Sequence, residues 1–126
     1  MKQELLYKEE VYNIVGSCME VYNELGPGFN EVVYQKCLEY EMTARKIAYE
    51  AQKHIDVLYK GESIGKYYTP DFLCYGCIIL EIKAEDKLIK VHRAQVLNYL
   101  KATGYRVGLL VNFGHEKNLQ YERFIV

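Results

Sequence analysis

Residues 77–83 read Cys-Ile-Ile-Leu-Glu-Ile-Lys, a nearly solid apolar run that ends on two charged side chains. A strand this apolar belongs in the middle of a sheet, covered on both faces. The rest of the chain must therefore supply its neighbours and its cover, and it does so with two hydrophobic periods.

Before the run, Val11, Val15, Cys18, Val21/Tyr22 and Leu25 recur at steps of three and four. That spacing draws one apolar stripe along a helix from about Glu4 to Leu25. Gly26-Pro27-Gly28 ends it, because Gly suits a C-cap and Pro cannot continue a helix. Asn30 then reads as the N-cap of a second helix, with Glu31 in its first turn and Phe29 and Tyr34 placed as a hydrophobic staple. Tyr34, Cys37, Leu38 and Met42 continue its buried face to about Arg45.

From Ile47 the period falls to two, which predicts one half-buried strand to Tyr59 and, after a turn at Lys60-Gly61-Glu62, a second from Ser63 to about Leu73. Gly65 and Pro70 mark irregularities in it. Beyond the central run, a helix is expected from about Leu88 to Thr103, closed by Gly104, with Ile89, Val96 and Leu100 packing on the sheet. Tyr105–Asn112 is another apolar strand, parallel to a neighbour because a helix crosses over, and Gln120–Val126 an edge strand. The expected class is α/β with a mixed sheet, in the order α-α-β-β-β-α-β, and residues 1–126 read as one domain.

The chain has 126 residues, 50% apolar and 26% charged, with a formal charge of −1. A disordered chain is excluded by that balance. The charges are uneven: residues 1–41 carry eight acids against three Lys, whereas 87–115 carry Lys87, Lys90, Arg93, Lys101 and Arg106 with no acid. No window reaches the length of a membrane span. The N-terminus lacks a signal peptide's apolar core, so the four Cys are expected as reduced thiols in a cytoplasmic protein.

Glu81 and Lys83 share one face of the apolar strand, opposite Ile78, Leu80 and Ile82. Charges there are costly unless paired or wet, and the plain reading is a cross-strand ion pair. Asp71 on the preceding strand offers another. A three-residue loop Cys74-Tyr75-Gly76 would pair Leu73 with Cys77 and Asp71 with Ile79, leaving Asp71 diagonal to Glu81 on one face. A two-residue loop would separate them. Two carboxylates that close are hard to ionise together without a cation, and their hard oxygens suit Mg²⁺ or Mn²⁺. On the third helix His92, Gln95 and Tyr99 fall within an arc of about 60° that borders the apolar strip.

Pro70-Asp71 followed by Glu81-Ile82-Lys83 resembles the PD-(D/E)XK signature of metal-dependent nucleases. Gln95-Val96-Leu97-Asn98-Tyr99 is similar to the QxxxY element of one of their subgroups. Gly28-Phe29-Asn30-Glu31-Val32-Val33-Tyr34 resembles the motif of the GxxExxY family, a small-protein branch of that superfamily. The resemblance runs from about Val21 to Gly114 and implies a restriction-endonuclease-like α-β-β-β-α-β core, with an added N-terminal helix and a C-terminal edge strand. It implies Mg²⁺ held by Asp71, Glu81 and the carbonyl of Ile82, with Glu31 as an outer or direct ligand. Lys83 would activate water, and Gln95 and Tyr99 would position phosphate or water. Lys90, Arg93 and Lys101 would meet the phosphates of a nucleic acid, with DNA as the first expectation.

Two other readings compete. Cys74-Tyr75-Gly76-Cys77 has the spacing of half a zinc site or a redox pair, but Cys18 and Cys37 form no second pair. The chain could also be a catalytically silent binding module that keeps the nuclease fold. A homodimer would bring two sites together for duplex cutting. Asn112-Phe113-Gly114 reads as a simple strand exit.

Overall fold

A computed structural model of the chain describes residues 6–126. Helix α1 runs Lys8–Leu25 and α2 runs Glu31–Ala44. The expected start at Glu4 lies outside the described residues. The stripe of α1 is centred on Ile14, Cys18 and Val21, which are buried, and Val11 and Val15 flank it. Asn30 caps α2 as expected, its side chain accepting from the Val33 N–H at 3.3 Å. The staple also forms, with the Phe29 and Tyr34 rings edge-to-face at 6.1 Å.

Seven strands follow: β1 Tyr49–Ala51, β2 Ile55–Tyr59, β3 Glu62–Tyr68, β4 Phe72–Cys74, β5 Ile78–Lys83, β6 Val107–Asn112 and β7 Gln120–Ile125, with α3 Lys90–Thr103 between β5 and β6. The main sheet has the order β1-β4-β5-β6-β7, and β2-β3 forms a separate two-stranded ribbon. As expected, β5 lies at the centre, β6 runs parallel to it, and β7 is an antiparallel edge.

The two long strands expected over 47–59 and 63–73 are each divided. Gln52, at φ 57, takes the chain out of the main sheet after Ala51. Thr69-Pro70-Asp71 bring it back, where Pro70 has no N–H to extend the ladder. The core strands are thus the first part of one expected strand, the last part of the other, and β5; the ribbon projects between them. Its tip, Lys60-Gly61, is a two-residue loop with both residues at positive φ, 52 and 82, the geometry that matches strand twist. With α2, β1, β4, β5, α3 and β6 as its core, the fold is a mixed α+β architecture of the restriction-endonuclease type.

Alternation along β5 sends its side chains to two cores. Ile78, Leu80 and Ile82 pack with Leu109 and Val111 beneath Ile14, Cys18, Tyr34 and Leu38 of the first two helices. Ile79 meets Leu73, Leu110 and the α3 side chains Val96 and Leu100 on the other face. Each such side chain contributes about 1.5–3 kcal/mol through burial. The contact of α3 with β6 is close: a Cβ on Gly108 would lie 2.9 Å from Val96 Cγ1. Helix α3 begins two residues later than expected. Leu88 is buried, whereas Ile89 is 45% exposed and does not join the strip, because it caps the helix in an extended conformation. Among the described residues no helix is long and apolar enough to cross a membrane.

Candidate active site

The hairpin between β4 and β5 decides whether the two acids meet. Its loop is Tyr75-Gly76-Cys77, one residue later than the expected Cys74-Tyr75-Gly76, so Cys74 pairs with Ile78, Leu73 with Ile79 and Phe72 with Leu80. The cause lies in the turn: Tyr75 and Gly76 are both left-handed, at φ 56 and 70, and the Cys77 N–H donates to the Cys74 carbonyl at 3.1 Å. Asp71, one step beyond the last ladder pair, therefore faces Glu81 rather than lying diagonal to it. The parity of the register is unchanged, so both acids stay on the α3 side of the sheet.

With β4 only three residues long, Asp71 is free of the ladder and its side chain takes up the ladder's role. Asp71 Oδ2 accepts from the Ile82 N–H at 2.8 Å, while the Asp71 N–H donates to Glu81 Oε1 at 3.2 Å. A strand residue turns its N–H and C=O to the same side, so the Ile82 carbonyl is on the side of Asp71. From α2, Gln35 reaches across with Nε2 3.3 Å from both the Asp71 carbonyl and Glu39 Oε2.

Glu81 is further held by a side chain that the sequence reading passed over. The Tyr68 hydroxyl, at the end of β3, donates to Glu81 Oε1. The Tyr68 ring stacks on Tyr99 of α3, centroids 3.7 Å apart and planes 20° from parallel. Burial, followed by the nearby Asp71 carboxylate, pushes the Glu81 carboxyl up from 4.5 to about 8; the bonds from Tyr68 and from the Asp71 N–H pull the other way. Burial, then the Glu81 charge, raises the Tyr68 hydroxyl well above a normal phenol. A carboxyl kept mostly protonated near neutral pH by burial and a second acid is a position that a cation can ionise. Two hard carboxylates so placed fit a divalent metal.

Lys83 lies two residues on, half-buried, and forms no ion pair among the described residues. The cross-strand ion pair expected for it is absent. The loop that follows is pinned by Asn112, which is fully buried. Asn112 Oδ1 accepts from the Glu85 and Gly114 N–H groups at 2.9 and 3.1 Å; Nδ2 donates to the Glu85 carbonyl and Gln120 Oε1, both at 2.9 Å. A Cβ on Gly114 would lie 2.3 Å from the Glu85 carbonyl oxygen. The expected simple strand exit is instead a close crossing that fixes the chain directly after Lys83.

The other expected residues are distributed more loosely. Tyr99 reaches the acids only through Tyr68. Gln95 is exposed, and His92 Nδ1 accepts from the Ile89 N–H at 3.2 Å, a helix-capping role. Glu31 is exposed, one helical turn before Gln35, and among the described residues no three His, Cys, Asp or Glu side chains gather as a metal set. Lys90 and Lys101 are exposed at opposite ends of α3. Arg93 is held by Glu122 of β7, with Nε 2.7 and 2.8 Å from its two carboxylate oxygens. All four cysteines are free thiols; burial pushes the Cys74 thiol up to about 12, which leaves no thiolate pair in the hairpin.

Tyr68, Gln35 and Asn112 complete the arrangement. One of them carried a signal: Gln35 is an amide between the buried Tyr34 and Leu38. The family model described as the PD-(D/E)XK nuclease superfamily matches residues 8–124. No curated protein and no solved structure matches the chain significantly.

Proposed function

Because the chain belongs to the PD-(D/E)XK nuclease superfamily, we propose that it hydrolyses phosphodiester bonds in DNA with a divalent cation, Mg²⁺ or in its place Mn²⁺, held by Asp71 and Glu81. We read it as a member of the GxxExxY branch. The observation that carries the proposal is the interlock of the two acids, Asp71 on the Ile82 N–H and Glu81 on the Asp71 N–H, in a partly buried site. A bound cation there would neutralise charge on phosphoryl oxygens and lower the pKa of a coordinated water. The Ile82 carbonyl would complete the protein's oxygen set, with Glu31 joining through water.

Lys83 lies on the same face of β5 two residues after Glu81 and forms no ion pair among the described residues, so it can hold the attacking water or donate a hydrogen bond to the scissile phosphate. Tyr99 acts on the site through Tyr68, by fixing the ring that holds Glu81. Gln95, exposed next to it, would contact phosphate. Lys90 and Lys101 would bind the backbone further out. Arg93, committed to Glu122, supports the α3–β7 packing first and phosphate second.

The test is isothermal titration with Mg²⁺ and Mn²⁺, beside the double variant Asp71→Ala/Glu81→Ala, followed by a cleavage assay on plasmid and oligonucleotide DNA. Metal binding lost in the double variant, with cleavage lost in Lys83→Ala, is the expected result. Cleavage retained in Lys83→Ala would overturn the role of Lys83. The runner-up is a catalytically silent binding module, favoured by the absence of a third acid among the described residues. Metal binding without cleavage of any nucleic acid would select it.

A further inference from the structure

The β2–β3 ribbon spends large apolar side chains where they bury little. Leu58 is 40%, Tyr59 64%, Ile64 53% and Tyr67 60% exposed. A two-stranded hairpin is marginal on its own, and this one is anchored where β2 runs against α3 and where Tyr68 joins the α3 core. That second anchor is also the route to the acids: Tyr68 ends the ribbon, and Thr69-Pro70 lead directly to Asp71.

Its aromatic rings are arranged as platforms. The His54 ring lies flat on Tyr67, centroids 4.0 Å apart and planes 12° from parallel. Lys60 Nζ stands 5.5 Å from the Tyr59 ring centroid. Neither Lys60 nor Lys66 has an ion pair among the described residues. A shallow groove of about 280 Å³ joins Asp56 and Leu58 to Thr103-Gly104-Tyr105 at the end of α3. Lys101 and Arg106, both exposed, flank that end. Counting Lys60, Lys66, Lys101 and Arg106 against Asp56 and Glu62, this surface has an excess of two positive charges.

We propose that the ribbon is the nucleic-acid grip of the site, and that it binds unpaired nucleotides by stacking a base on the His54–Tyr67 pair, one residue from the Tyr68 that holds Glu81. This deepens the nuclease reading above and rests on it. Aromatic faces with nearby ammonium groups bind single strands without regard to sequence. Bidentate reading of base edges in a duplex groove is strongest from Arg, Asn and Gln, and the ribbon has none of these between Ile55 and Tyr68; its Lys60 and Lys66 would serve phosphate. Self-association would call for one continuous apolar face. Here Leu58 and Tyr67 lie on one face and Tyr59 on the other, by the pairing of Leu58 with Ser63, Asp56 with Tyr67 and Tyr59 with Glu62.

The test is fluorescence anisotropy of the full chain with labelled single-stranded, blunt-duplex and overhang-bearing DNA, in EDTA so that nothing is cut. Single-stranded and overhang DNA should bind more tightly than the blunt duplex. Tyr67→Ala should weaken that binding about tenfold, as the loss of one stacked base does. Tyr67→Phe should restore it, and Tyr59→Ala, on the opposite face of the ribbon, and Tyr40→Ala, an exposed tyrosine on α2, should leave it unchanged. Binding unaffected by Tyr67→Ala, or equal losses on blunt duplex, overturns the grip while leaving the nuclease reading intact. A change in sedimentation of Tyr67→Ala without a change in DNA affinity overturns it in favour of self-association. A chain that neither binds nor cuts any of these DNAs removes both readings.

Discussion

The Tyr68 hydroxyl donates to a carboxylate oxygen of Glu81 while its ring lies flat against Tyr99. One side chain thereby ties the ribbon, the central strand and α3 to a single acid. The same Glu81 oxygen takes the Asp71 N–H, so the donors to Glu81 come from both elements that precede it in the chain.

Tyr68→Phe keeps the stack and removes the donor. Hydrogen bonds to charged groups contribute about 1.5–3 kcal/mol, and this one favours the ionised carboxylate. Mn²⁺ affinity at neutral pH should fall about tenfold by isothermal titration, with the melting temperature little changed. Undiminished affinity would show that Tyr68 only fills space.

A carboxyl raised from 4.5 to about 8 makes two pH profiles opposite in sign. In EDTA, the folded chain keeps a proton that the unfolded chain releases, so Glu81 contributes least to stability at high pH. That contribution is fully present below about pH 4.5 and is lost as pH rises through about 8. Cation affinity runs the other way, rising with pH to about 8 and levelling above it. Thermal unfolding and metal titration at several pH values should show both slopes, and Glu81→Gln should remove its share of the first. A stability profile identical in Glu81→Gln would mean the carboxyl is not protonated in the folded state.

Asn112→Ala strips four hydrogen bonds from a fully buried position. The Glu85 N–H and C=O and the Gly114 N–H lose their partners at an exposed to half-buried crossing, at about 0.5–1.5 kcal/mol for each net hydrogen bond, and the side-chain void adds to it. We expect a loss of about 2–4 kcal/mol in denaturant unfolding and faster amide exchange at Glu85. Gly114→Ala forces a Cβ against the Glu85 backbone, and should be at least as damaging.

Lys90→Ala and Lys101→Ala should each lower the salt dependence of DNA binding by about one unit of slope, the mark of a phosphate contact. Arg93→Ala should instead lower stability, because it leaves Glu122 without its bidentate partner. A full unit of slope lost in Arg93→Ala would place it on phosphate after all.

Much of the acid pair was legible because β5 is apolar up to Glu81 and Lys83, which fall on one face. An apolar strand with Glu81 and Lys83 on one face leaves few other arrangements, and Pro70-Asp71 stood at the right distance along the preceding strand. Helix limits were legible where capping chemistry was local, as at Asn30 and Gly104. The ribbon was hidden because period two is the same in a main-sheet strand and in a projecting hairpin; only the left-handed Gln52 and the Pro70 return separate them. Tyr68 was hidden for a related reason. Its partners, Glu81 and Tyr99, are 13 and 31 residues away, and its role depends on where the ribbon folds back. Asn112 looked like an ordinary strand end because the demand it meets, two backbone groups of Glu85, arises only from the crossing at Gly114.

Asp71 and Glu81 are ten residues apart, joined by one tight turn, whereas Tyr68–Tyr99 must wait for α3. Hairpins close in about 1–10 μs, so the acids can meet while water still surrounds them. The burial that drives Glu81 to hold its proton arrives with α3 and the ribbon. The pairing of the acids is thus separable from the setting of their acidity: the hairpin supplies the first, and the burial added by α3 and the ribbon supplies the second.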